Sequence, residues 1–95
     1  MTINTLADIT PNGVAVPLSA TSRFAVWILF GAPTGNGAQI RVGDAQVGTA
    51  RGAAIDPGAF VEIPRCSFSQ GGYDLSQVYV WGAGGADKVS VTFGA

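Results

Sequence analysis

The sequence predicts an all-β chain: one antiparallel β-sandwich or jelly-roll-like barrel of six to eight short strands. Three observations predict it. Clusters of glycine, proline, asparagine and aspartate recur along the chain at intervals of about 10 to 20 residues, each able to turn the backbone. Between them, apolar residues alternate with a period of two. No window places apolar residues at i, i+3, i+4 and i+7 over two turns, so no amphipathic helix is expected. At 95 residues the chain is one domain with a single modest core.

The elements follow in order. Residues 1–12, with Ile3, Leu6 and Ile9 as apolar positions, read either as an extended arm lying across a neighbour or as an ordinary edge strand. Residues 13–95 form the sandwich domain. After the turn Pro11-Asn12-Gly13, strand character runs from Gly13 to Leu18. The run from Arg23 to Phe30 is apolar on both faces, with Phe24, Val26, Ile28 and Phe30 on one and Ala25, Trp27 and Leu29 on the other. Pro33-Thr34-Gly35-Asn36-Gly37 turns the chain into Ala38 to Val42, and Gly43-Asp44 leads to a further candidate strand, Gln46 to Thr49. Asp56-Pro57-Gly58 opens Ala59 to Ile63, where Phe60 and Glu62 share one face and Ala59, Val61 and Ile63 the other. Beyond Gly71-Gly72, Gln77 to Trp81 points Val78 and Val80 inward and Tyr79 and Trp81 outward. Lys88 to Phe93 buries Val89, Val91 and Phe93 and leaves Lys88, Ser90 and Thr92 wet.

A two-layer sandwich has one core, so a strand apolar on both faces needs cover on its outside. Either the chain's own loops cover Trp27 and Leu29, or these residues form a subunit or partner interface. The same choice holds for Tyr79 and Trp81. Tryptophan and tyrosine are enriched at binding hot spots, which favours an interface made of Trp27, Leu29, Tyr79 and Trp81, with Ile3, Leu6 and Ile9 added by the N-terminal segment. Composition points the same way. Charged residues make up 12% of the chain, half the roughly 25% usual for a soluble domain, too few to cover a free-standing monomer comfortably.

Catalytic chemistry finds little to stand on. The absence of histidine removes the usual general base, the Ser-His-Asp and Cys-His arrangements and the commonest zinc ligand. The single cysteine, Cys66, has Arg65 beside it but no base, and reads as a small buried apolar residue; it has no partner for an internal disulfide. Asp8, Asp44, Asp56, Asp74, Asp87 and Glu62 are the carboxylates; four of the aspartates lie at turns, where such side chains cap local backbone. There is no D-x-D-x-D-G calcium loop. The expectation is a protein that is not an enzyme and takes no cofactor or metal.

Partners are bounded by charge. The net charge is −1, with Arg23, Arg41, Arg51, Arg65 and Lys88 scattered singly, so neither nucleic acid nor an anionic membrane is an expected partner. The N-terminus lacks a secretory pattern, and the longest apolar run, Phe24 to Phe30, is far short of the roughly 20 residues of a membrane helix. The chain is expected to be made in the cytoplasm and soluble.

The cluster GAGGADK from Gly82 to Lys88 invites comparison with a phosphate-binding loop. That motif requires Gly-Lys-Ser/Thr at its end and a helix whose amides face the anion. Here Asp87 precedes Lys88 and a strand follows. The cluster is expected to be a flexible surface hairpin connection of about six residues.

Taken in succession, Val42-Gly43-Asp44, Arg51-Gly52-Ala53-Ala54-Ile55-Asp56-Pro57-Gly58, Asp74-Leu75-Ser76-Gln77-Val78-Tyr79-Val80 and Asp87-Lys88-Val89-Ser90-Val91 resemble a pattern of small tailed-phage virion proteins, those of capsid decoration or head-fibre-base type. The resemblance covers roughly residues 38 to 93, and its positions are turns and core, so it assigns no binding residue. It implies a structural protein on the capsid surface, bound to the major capsid protein and to itself as a symmetric oligomer, with trimers suiting local threefold positions. A carbohydrate- or receptor-binding module using Trp27, Tyr73, Tyr79 or Trp81 is the alternative from another class, and a minor tail or head-tail connector component is a third.

Overall fold

The computed structural model describes residues 2–63 and 72–95; Arg65 and Cys66 lie outside the described residues. Ten strands are found among them: β1 (Ile3–Thr5), β2 (Val16–Pro17), β3 (Phe24–Ala25), β4 (Trp27–Gly31), β5 (Ile40–Gly43), β6 (Ala53–Ile55), β7 (Phe60–Ile63), β8 (Tyr73–Asp74), β9 (Tyr79–Gly82) and β10 (Ser90–Gly94). A 3₁₀ turn, Leu75–Gln77, leads into β9. The chain is all-β, as its turn spacing and period-two alternation predict.

The strands form two four-stranded sheets, in the orders β1-β10-β4-β7 and β2-β9-β5-β6, and a separate pair β3-β8. Every pairing is antiparallel. With β3-β8 set aside, the pairs β1–β10, β2–β9, β4–β7 and β5–β6 nest one inside the next. The chain therefore folds as one long hairpin that rolls over its own core, and the roll brings β10 against β4 and β9 against β5. This strand order is a jelly roll, two sheets linked by paired Greek keys.

The core lies between the sheets. Ile28, Phe30, Val91 and Phe93 of the first meet Ile40, Val42, Ile55 and Val80 of the second in one buried cluster. Burying each such side chain is worth about 1.5–3 kcal/mol. The alternation in β10, β7 and β9 delivers the faces as expected: Val91 and Phe93 are buried, Val61 and Ile63 pack on the core, and Val80 is buried between half-buried Tyr79 and Trp81.

Two expectations are corrected. Arg23 to Phe30 is not one strand. The chain bends at Val26, whose N–H donates to the Gly94 carbonyl, while β3 leaves to pair with β8. Alternation restarts at the bend, so Ala25 is buried and Phe24 is turned outward, the reverse of what a continuous strand requires. Nor is GAGGADK a hairpin. It carries the chain from β9 in the second sheet to β10 in the first, and its Asp87 is buried rather than at a flexible surface.

The remaining differences are of extent. Of Gly13 to Leu18 only Val16–Pro17 pairs as a strand, and Gln46 to Thr49 contributes only the Gly48↔Arg51 bridge. The N-terminal segment is an edge strand: beyond β1 it stays on its neighbour through Leu6 N–H to the Val91 carbonyl at 3.1 Å and Ile9 N–H to the Val89 carbonyl at 2.9 Å. Gly52, ahead of β6, has φ +105, where a Cβ would come within 2.7 Å of the Val42 carbonyl oxygen; only glycine meets both demands.

Candidate interaction surfaces

The outer face of the first sheet is set by register. One row across it runs Ile3, Gly94, Trp27; the next runs Thr5, Thr92, Leu29, Glu62; a third runs Ser90, Gly31, Phe60. Because side chains two apart on a strand share a face, Ile3, Trp27, Leu29 and Phe60 all stand on this side, and Glu62 is the one charged residue in these rows. Ile3 is 69% and Phe60 73% exposed, while Trp27 and Leu29 are half-buried. The small residues between them leave the surface low: Gly31 lies directly under the Ser90 hydroxyl.

The outer face of the second sheet carries Pro17, Tyr79 and Gly43 in one row and Trp81, Arg41 and Ala54 in the next. Tyr79 and Trp81 are half-buried. Arg41, directly across from Trp81, donates from Nη1 to the Gly52 carbonyl at 3.1 Å, which fixes its guanidinium beside the indole strand.

The expected interface residues thus divide into three groups. Ile3, Trp27 and Leu29 come together on the first sheet, and Tyr79 and Trp81 stand on the second. Leu6 and Ile9 pack against the chain's own core. Phe60 joins the first group although it stood outside the expected set. Its signal was legible, since it shares a face with Glu62 and is opposed by Val61 and Ile63.

The aspartates at turns hold backbone. Asp44 Oδ1 accepts from Gln46 N–H at 2.9 Å. Asp74 caps the 3₁₀ turn by accepting from Ser76 N–H and Oγ–H, and it also accepts from Ser22 Oγ–H and Arg23 N–H. Hydrogen bonds from the Ser76 side chain and backbone, which outweigh the opposing desolvation, and lesser ones from Ser22 and Arg23 hold its carboxyl below the usual carboxylate value. Asp87 accepts from Gly37 N–H at 2.8 Å on Oδ1 and from Gly84 N–H at 3.3 Å on Oδ2. Beside it, Asn36 donates from Nδ2 to the Lys88 carbonyl and accepts from Lys88 N–H on Oδ1, both at 2.8 Å. Three of these four bonds join the β4–β5 loop to the β9–β10 loop at one end of the roll, and the fourth, from Gly84, closes the β9–β10 loop on itself. Among the described residues no group of three or more His, Cys, Asp or Glu is placed to hold a metal ion, and no helix is long and apolar enough to cross a membrane.

The architecture defines the chain as a small jelly-roll protein whose two outer sheet faces carry aromatic side chains. No family model, no curated protein and no solved structure matches it.

Proposed function

We propose that the chain is a non-enzymatic virion structural protein, a capsid decoration protein that clamps the major capsid protein and copies of itself through the outer face of its first sheet. The observation that carries this reading is that face, which Ile3, Trp27, Leu29 and Phe60 share with small polar residues and a single carboxylate, Glu62. Two exposed apolar anchors flanking a half-buried tryptophan and leucine suit a desolvated interface centre. Three further points support it: jelly rolls are a recurrent fold of viral capsid proteins, the charge content is low, and the turn pattern resembles small phage virion proteins. The function would be mechanical. Contacts of about 1,000 Å² or more per interface, repeated around a symmetric oligomer, would make capsid rupture require many simultaneous breaks.

The test is sedimentation of purified protein alone and with expanded capsids. Saturable capsid binding by a symmetric oligomer, weakened by Phe60→Ser and Ile3→Ser, is the expected outcome. A stable monomer that ignores capsids overturns the proposal, and binding in a few copies at a tail or portal moves it to the connector reading.

One observation favours the second reading, a carbohydrate-binding module. Tyr79 and Trp81 share the outer face of β9, and Arg41 stands across from Trp81 with its guanidinium anchored, so stacking surface and hydrogen-bond donors adjoin. Retention of the monomer on a glycan array, lost with Trp81→Ala, would select that reading.

A further inference from the structure

The sequence holds an Asn-Gly pair inside each of two turns, Asn12-Gly13 and Asn36-Gly37. Such a pair is chemically unstable in an open chain. The amide nitrogen of the glycine loses its proton and bonds to the asparagine Cγ, the side-chain nitrogen leaves as ammonia, and water opens the five-membered imide at either carbonyl. The product is aspartate, or isoaspartate with the main chain rerouted through the side-chain carbon. Glycine permits this because no Cβ hinders its nitrogen.

At residue 36 both reacting groups are held, the attacking N–H by Asp87 and the side-chain amide by the Lys88 backbone. The attacking group, Gly37 N–H, donates to Asp87 Oδ1 at 2.8 Å, and the neighbouring carboxylate opposes the loss of its proton. The group under attack is held on both sides by the Lys88 backbone, through Nδ2 and through Oδ1. Asn36 is 7% exposed and Asp87 5% exposed, so the water that must open the imide is largely kept out. Asn12 differs, because its side chain is exposed, although Gly13 N–H is engaged by the Gly82 carbonyl.

We infer that Asn36-Gly37 is a latent deamidation site, shielded by the joint between the two loops, and that its conversion locks an opened chain out of the native fold. The lock follows from hydrogen-bond chemistry. A carboxylate at 36 accepts from Lys88 N–H but has no donor for the Lys88 carbonyl, and it adds a second negative charge beside Asp87. A buried acceptor without a donor and two adjacent like charges both oppose re-closure. Isoaspartate adds a backbone atom to a loop whose ends are set by β4 and β5. The inference is independent of the capsid reading.

The experiment compares wild type with Gly37→Ala. The substitution slows the chemistry by placing a Cβ beside the attacking nitrogen, and it leaves the joint undisturbed, since that Cβ comes no nearer than 3.9 Å to Asp87 Oδ1. Both proteins are held at mildly alkaline pH, in native buffer and in urea, for increasing times. Peptide mapping scores acid at 36 and at 12 separately, and the refolded fraction is measured after dilution. Wild type in urea is expected to gain acid at 36 and to lose refolding yield in step, while native wild type gains it slower by about a hundredfold or more, the factor set by opening of the joint. Gly37→Ala is expected to keep its yield. Asn36→Asp, which needs no ageing, is expected to melt about 10 °C lower or to fail to fold. Equal rates of conversion in native and denatured protein would overturn the shielding. Chains carrying acid at 36 that refold with an unchanged Tm would overturn the lock.

Discussion

Arg23 lies over the ring of Phe93, with its guanidinium carbon 4.9 Å from the ring centroid. Phe93 is fully buried, so the arginine acts as a lid on one end of the core, adding a cation–π attraction to the cover given by its methylene stem. Arg23→Ala is expected to cost about 1 kcal/mol, and Arg23→Met less, because its chain still covers the ring. Urea denaturation of the three proteins checks the order, and equal losses for Ala and Met would assign the whole effect to charge.

Phe60 and Phe30 point to opposite sides of the first sheet and should behave as opposites. Phe30→Ala is expected to cost about 3–5 kcal/mol through the cavity it leaves. Phe60→Ser, at a largely exposed position, should change monomer stability by no more than about 0.5 kcal/mol, and the decoration proposal requires it to lower self-association or capsid binding. Thermal melts at low protein concentration, paired with sedimentation, separate the two effects.

Gly52→Ala tests the backbone ahead of β6. The new Cβ meets the Val42 carbonyl oxygen at 2.7 Å in a left-handed conformation, a combination expected to cost about 1–3 kcal/mol. Gly35→Ala, where a Cβ meets nothing within 4 Å, is the control and should be neutral or slightly stabilising. Denaturant midpoints give the comparison directly.

Asp74 makes stability depend on acid. Its carboxyl is held below the ordinary value by donors from Ser76, Ser22 and Arg23, so on acidification the unfolded chain takes up the proton first. The contribution is therefore fully present above about pH 4, the ordinary aspartate range, and is lost as pH falls through the lower folded value. Asp74→Asn should flatten this part of the stability–pH curve, and Ser76→Ala should flatten it in part. A wild-type slope retained in Asp74→Asn would place the acid sensitivity elsewhere.

Much of this fold is legible wherever a strand alternates cleanly. Val89, Val91 and Phe93 against Ser90 and Thr92, or Val80 between Tyr79 and Trp81, declare their faces because one side meets water. Arg23 to Phe30 hides its bend because every position from Phe24 onward is apolar, so no change of parity marks Val26. Ile3–Thr5, Ala53–Ile55 and Tyr73–Asp74 are too short for a period to show. The sheet assignment of β9 and β10 was illegible for a different reason. Adjacent strands with a glycine-rich link look like a hairpin locally, and only the distant partners Val16, Val42, Phe30 and Asn4 place them in separate sheets. The candidate surface has the same character: Trp27 and Leu29 announce an outer apolar face, but their grouping with Ile3 and Phe60 depends on register with strands far away in sequence.

The nesting of the strand pairs also orders events during synthesis. A ribosome releases β1 first and β10 last, yet β1 finds its partner only in β10, which also seats β4. Until the final strand emerges, β4 and β7 can pair but β1 stands apart from them, and only the innermost pair, β5–β6, joins near neighbours. Because such long loop closures must precede their reward, folding is expected to be slow and to wait for β10. A chain stalled a few residues short of Ser90 would leave β1 unpaired and one edge of β4 open, with Phe30 and Ile28 short of the Val91 and Phe93 that complete their core, a form recognisable to chaperones and proteases.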